Sequence, residues 1–184
     1  MIAYAITDPS TLNFQTLERD IKNFADKADM IVYRDKSTST YSTNAKRFIL
    51  EANKYKFSKI LLHTDYILAH KVGADGVHLN STQFNDIVQA KALGLFVVIS
   101  THTEEEALKA QTLGVDMVTF SPIFFTPNKG EPKGLDELQK LVEQLFISVI
   151  ALGGIVTQEQ IDLCQKSGVE GFASIRYFTN KPSQ

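Results

Sequence analysis

One pattern recurs four times along the chain. It reads KADMIVY from Lys27, GADGVHL from Gly73, GVDMVTF from Gly114 and GVEGFAS from Gly168. Each copy closes a helix-like stretch, places an acid (Asp29, Asp75, Asp116, Glu170) and opens a short apolar run. The acids lie 46, 41 and 54 residues apart, which leaves room for two strand–helix units per repeat. Four such repeats predict eight strands, with the acids on alternate strands. Alternate strands supply equivalent layers in a closed parallel barrel, and their N-terminal ends form its stability face. The four acids therefore read as structural.

The apolar runs predict strands near Ile2–Ile6, Met30–Arg34, Ile60–His63, Gly76–Leu79, Phe96–Ser100, Met117–Ser121, Val149–Leu152 and Phe172–Ile175. Between them, apolar residues fall at helical spacing, as at Leu12, Leu17, Ile21 and Phe24. The stretch Thr103–Leu113 opens with Glu104 to Glu106, which suits a helix N-terminus, and stops at Gly114. Continuous apolar strands alternating with helices predict a parallel sheet covered by helices. The fold expected is an α/β (β/α)8 TIM barrel forming one domain, 1–184. An open doubly wound sheet is the rival, but no G-x-G-x-x-G follows the first strand. At 184 residues the chain is short for a barrel, which typically needs about 250. The last helix is expected to be missing or vestigial, with a partner subunit covering the exposed wall of a homodimer.

A net charge of −2 offers no global positive field for nucleic acid. No apolar run reaches the roughly 20 residues of a membrane span, and no basic segment leads into a long apolar one. A cytoplasmic protein is expected. Cys164, the single cysteine, excludes an internal disulfide and a cysteine-rich zinc site; it reads as a buried helix residue.

Function in such a barrel belongs at the C-terminal strand ends. Those ends carry Arg34, Lys36, Lys129 and Arg176, a convergence that suits an anion. Gly153-Gly154 follows the seventh strand and precedes a helix, where glycine allows close backbone approach and a helix N-terminus offers N–H groups to phosphate. The long segment Phe120–Leu138 suits a lid, with Thr126, Asn128 and Lys129 available to a substrate. Among the histidines, His63 ends a strand and can titrate near neutrality. His78 reads as a structural strand residue, His102 as a surface residue at the start of the fifth helix, and His70 as a helix residue without a role.

The ordered set YAITD (Tyr4–Asp8), YRDK (Tyr33–Lys36), GADGVHL (Gly73–Leu79), STHTEEEALKA (Ser100–Ala110), SPIFFTPNKG (Ser121–Gly130) and LGGI (Leu152–Ile155) resembles thiamine phosphate synthase and its relative, the TenI-type thiazole tautomerase. The resemblance spans nearly the whole chain. It implies that diphosphate-binding cations fall on Arg34, Lys36 and Lys129, a rim serine on Ser100, and thiazole-phosphate contacts on Gly154, Ile175 and Arg176. The family's Thr-x-Thr-Lys loop becomes Thr126, Asn128 and Lys129.

Departures are concentrated at the metal. The family's Asn-Asp after strand three aligns with His63-Thr64, and its second metal Asp aligns with Gln83; Asp65 and Asp86 are the nearest acids. The Gln before the Arg becomes Val32, and the tautomerase's loop histidine becomes Pro122. These losses favour a metal-independent tautomerase with no cofactor, a phosphorylated small-molecule substrate and His63, Ser100 and Lys129 as catalytic candidates. One alternative is the synthase, which would use Mg²⁺. The other is a non-catalytic phosphate-ligand-binding homologue.

Overall fold

A computed structural model describes residues 1–179. The elements run β1 (Ile2–Ile6), α1 (Leu17–Ala25), β2 (Met30–Tyr33), α2 (Tyr41–Ala52), β3 (Lys59–His63), α3 (Tyr66–Val72), β4 (Gly76–Leu79), α4 (Asp86–Ala92), β5 (Phe96–Thr101), α5 (Glu104–Thr112), β6 (Met117–Phe120), α6 (Gly134–Gln144), β7 (Ser148–Leu152), α7 (Gln158–Lys166) and β8 (Gly171–Ser174). All eight expected strands are present, with ends shifted by at most one residue. They pair in parallel and in chain order, and β8 closes onto β1.

Strand periodicity of two sorts the side chains. Tyr4, Ile6, Met30, Val32, Leu61, Val98, Met117, Ile150 and Ala173 pack together as one buried cluster inside the barrel. Their neighbours Ala5, Ile31, Leu62, Val77, Val97, Val118 and Ala151 pack in a second cluster with helix residues such as Ile21, Phe48 and Ile161. Both strand faces are thus buried, as the continuous apolar runs require.

The fourfold repeat has a structural cause. Asp29 accepts the Ala3 N–H at 2.8 Å, Asp75 that of Ile60 at 2.7 Å and Asp116 that of Val97 at 2.7 Å. Each acid also donates its own N–H back to the same residue's carbonyl, at 2.8, 2.9 and 3.1 Å. An acid ahead of each even strand therefore clips the start of the preceding odd strand. Glu170 keeps the backbone half of the device, donating to the Val149 carbonyl at 3.0 Å. Asp75→Ala would leave the Ile60 N–H without its charged acceptor, at a cost of about 2 kcal/mol. The expected result in a melting experiment is a Tm drop of about 4–8 °C, with pyrophosphate affinity unchanged by calorimetry. A loss of affinity would overturn the structural assignment.

Thr103 caps α5, its hydroxyl accepting the Glu106 N–H at 3.2 Å. Cys164 is buried in α7, as expected. No eighth helix follows β8 among the described residues. Part of the wall it would cover is packed by the chain itself: Phe178 is 2% exposed and stacks on Phe172 at 5.8 Å, with Phe24 of α1 at 6.4 Å. Residues 180–184 lie outside the described residues. Among the described residues, no helix is long and apolar enough to cross a membrane.

Candidate functional site

The strand C-termini surround a cavity of about 360 Å³. Ten of the eleven candidate site residues line it. Arg34, Lys36 and Lys129 form its cationic side, and Gly153, Gly154, Ile175 and Arg176 its glycine side. His63, Ser100 and Thr126 also face it. Asn128 does not; it is exposed on the loop and holds a left-handed backbone with φ 61°, so it shapes the turn.

The cationic side is built from β2 and the lid loop. Thr7 donates to the Val32 carbonyl at 2.9 Å and accepts the Arg34 N–H at 3.2 Å, which pins the chain where it leaves β2. Among the described residues, no Asp or Glu lines the cavity. The charges therefore act on one another: Arg34 chiefly, then burial and Lys129, holds the Lys36 ammonium below its ordinary value. Like charges gathered at one cavity wall constitute a field that an anion relieves.

The glycine side depends on two positive-φ residues. A Cβ on Gly154 would lie 2.6 Å from the Phe125 carbonyl oxygen, and one on Gly153 would lie 2.7 Å from Pro122 Cα, so only glycine lets the β7 loop pass under the lid loop. Ser174 ties the β8 end to this loop, donating to the Ile155 carbonyl at 2.7 Å. Among the described residues, the N–H groups of Gly154, Ile175 and Arg176 have no acceptor, as a phosphate cradle requires. The N-terminus of α7 is not part of that cradle. Thr157 and Gln160 form a capping box over it, with Gln160 accepting the Val156 N–H at 2.8 Å. The box pairs the Thr157 and Gln160 N–H groups within the chain, and no residue of α7 itself lines the cavity. Arg176 is exposed at the cavity edge and does not fill it.

Between the two sides lies a histidine floor that sequence reading underrated. His78 sits inside β4 yet faces inward: Nδ1 is 2.8 Å from the Tyr4 hydroxyl and Nε2 is 3.0 Å from Ser100 Oγ. Burial pushes it down to about 3, with His63 and Arg34 contributing. His63 pairs with His78 in register, its ring 6.0 Å away. Burial, then Arg34 and Lys36, pushes His63 down to about 4. Its ring has no hydrogen-bond partner among the described residues, whereas its backbone is held by Tyr41 of α2, whose hydroxyl accepts the His63 N–H at 3.1 Å.

His102 lines the cavity too and is not merely a surface residue. Its Nδ1 lies 3.0 Å from the Ser121 carbonyl oxygen and 3.3 Å from the Ser121 hydroxyl. His102 precedes α5 by two positions instead of starting it. His70 stays on the exposed surface of α3.

The residues at the aligned metal positions do not fit Mg²⁺, a hard cation that takes carboxylate and water oxygens. Asp65 caps α3, its Oδ1 accepting the Leu68 N–H at 2.8 Å. Gln83 donates to the Thr64 carbonyl at 3.0 Å and to Asp86 at 2.9 Å. These bonds tie the loop after β4 to the loop after β3. Among the described residues, no three His, Cys, Asp or Glu side chains cluster as a metal site.

Comparison with known proteins agrees with this geometry. The model of a family described as thiamine monophosphate synthase matches residues 3–178. A chain of Aquifex aeolicus, provisionally named thiamine-phosphate synthase 2, is 36% identical over 95% of this chain and 96% of its own length. The thiamine-phosphate synthase of Clostridium novyi is 33% identical over 94% of this chain and 87% of its own. The solved thiamine phosphate pyrophosphorylase from Pyrococcus furiosus superposes with a TM-score of 0.81 at 28% identity, covering 95% of this chain and 85% of that one.

Proposed function

This chain belongs to the thiamine monophosphate synthase family, and from that premise we propose that it joins a hydroxymethylpyrimidine diphosphate to a thiazole phosphate and releases pyrophosphate. The observation that carries this reading is that one cavity has two anion-binding sides: Arg34, Lys36 and Lys129 form one, and Gly154, Ile175 and Arg176 the other. A tautomerase acting on one monophosphate needs a single such side. Two phosphorylated substrates need both. The relatives' names favour the same alternative over the tautomerase reading drawn from the missing metal acids.

In this reading the C–O bond between the pyrimidine methylene and the diphosphate breaks, and its electron pair leaves with pyrophosphate. The thiazole ring nitrogen supplies the pair for the new C–N bond. Negative charge grows on the leaving oxygen, and fixed cations in a partly dry cavity stabilise such charge most. Arg34, Lys36 and Lys129 take that role without help from cavity carboxylates. Gly154 and the β8 end hold the thiazole phosphate. No step is assigned to Mg²⁺, since the residues present do not fit it.

A second reading, thiazole tautomerisation, is favoured by the unpartnered His63 ring at the cavity. Against it, a ring pushed down to about 4 is a weak base at neutral pH. One assay separates the readings. Both purified substrates are incubated with the protein in EDTA; pyrophosphate release and a thiamine phosphate product are expected. Isomerisation of carboxythiazole phosphate without release would install the tautomerase. Binding with neither reaction would leave a non-catalytic homologue.

A further inference from the structure

We propose that Tyr4 and His78 form a buried hydrogen-bond relay that holds Ser100 as an obligate donor toward the anion in the cavity. The proposal deepens the coupling reading and rests on it only in taking the ligand as a phosphate-type anion. Tyr4 and His78 are positioning residues here; Ser100 is the group that touches the ligand.

The direction of the relay follows from proton accounting. Tyr4 is fully buried, and among the described residues its hydroxyl has one partner, His78 Nδ1 at 2.8 Å. Ser100 Oγ likewise has one, His78 Nε2 at 3.0 Å. A neutral imidazole carries one N–H. If it sat on Nδ1, Tyr4 would accept it and its own hydroxyl proton would have no acceptor inside the barrel. A buried, unsatisfied donor disfavours that arrangement roughly 10-fold or more. In the other arrangement every proton is placed. Tyr4 O–H donates to Nδ1, Nε2–H donates to Ser100 Oγ, and the Ser100 proton is left for the cavity that Ser100 lines.

The surroundings keep the relay in one protonation state. Burial raises Tyr4 well above its ordinary value, so it stays a donor. Burial with His63 and Arg34 keeps His78 neutral. The groups facing His78 are Tyr4 of β1, Ser100 of β5, His63 of β3 and, through space, Arg34 at the end of β2. No carboxylate lies among them to draw a second proton onto the ring.

The first test needs no ligand. Long-range 1H–15N correlation on the wild-type protein is expected to show His78 with a protonated Nε2 and a bare Nδ1. An Nδ1-protonated ring overturns the relay. The second test is a calorimetric cycle with inorganic pyrophosphate as the probe. Ser100→Ala and Tyr4→Phe are each expected to weaken binding roughly 10-fold, the scale of one hydrogen bond. The double variant is expected to be no weaker than Ser100→Ala alone, because Tyr4 acts only through the Ser100 proton. Tyr4→Phe removes one oxygen and keeps the ring that packs in the barrel, so the fold is retained. Equal losses from Tyr4→Phe in both backgrounds would reduce it to a packing residue. No loss from Ser100→Ala, or no pyrophosphate binding by the wild type, would also overturn the proposal. If the cycle holds but the two substrates do not couple, the synthase reading fails and the relay stands.

Discussion

Arg34→Met is expected to weaken inorganic pyrophosphate binding about 100-fold or more and, in the same variant, to raise the pKa values of His63, His78 and Lys36. Arg34 is the charge shared by all three: it is the first cause of the Lys36 depression and a contributor to both histidine shifts. A guanidinium offers a phosphate two parallel charge-assisted bonds, each stronger than a neutral one, so its loss is worth about 3 kcal/mol. Methionine keeps the unbranched stem, and any packing loss is therefore small. Calorimetry at low ionic strength reads the affinity, and an NMR pH titration reads the rings. Sign matters in the second measurement: removing a positive neighbour lets each cationic form exist at higher pH, so all three values must rise. A fall in affinity with unmoved rings would show that Arg34 binds the anion but does not set the field. Unchanged affinity would place the anion elsewhere.

The barrel itself was legible because its cause is local. The acids ahead of β2, β4 and β6 satisfy N–H groups at the starts of β1, β3 and β5, so the repeat in the chain is a repeat of one hydrogen-bonding device. The cationic and glycine sides were legible for a related reason: residues just past a strand must lie at its C-terminal rim. What was not legible was which residues inside the strands reach the cavity. His78 sits in a run, Gly76–Leu79, buried on both faces, and such a run carries no polar alternation to show which way it points. Only pairing with His63 across β3 and β4 places it inward. Tyr4 is hidden in the same way in β1.

Loops were read less well than strands, and the reason is again physical. The capping box of α7 was not foreseen because its partners, Thr157 and Gln160, are ordinary residues whose reciprocal bonds depend on geometry. Asp65, an acid near the aligned metal position, serves as the cap on the Leu68 N–H of α3. Asn128 resembled a substrate contact, yet its φ of 61° makes it a turn residue. In each case the side chain had two uses, and the backbone nearby had the prior claim. Phe178 shows the converse, a residue past the last strand that closes the core in place of a helix.

Acid is expected to unfold the protein well before its carboxylates titrate. His63 and His78 are held neutral in the folded state, down to about 4 and about 3, against an ordinary value of 6.5. The unfolded chain therefore binds two protons below pH 6.5 that the folded chain refuses. Stability is full above 6.5 and falls with pH from there until the folded rings themselves protonate. Each histidine contributes about 1.4 kcal/mol per pH unit across that window. Two units of acidification thus remove about 5 kcal/mol, comparable to the whole stability of a small domain. Asp35, held below its ordinary 3.8 chiefly by bonds from Ser37 and Thr38 against the opposing effect of burial, adds its loss only below about pH 4. Urea unfolding at pH 7.0, 6.0, 5.0 and 4.5 measures the slope, without phosphate in the buffer. The expected slope corresponds to about two protons taken up per unfolding event between pH 6 and 4.5, falling to about one in His63→Asn and in His78→Gln. Pyrophosphate should flatten the wild-type curve, because an anion beside Arg34 and Lys36 lets His63 keep a proton in the folded state. A flat profile from pH 7 to 4.5 without ligand would mean that these rings are hydrated and protonate freely, and would remove the dry histidine floor from the site.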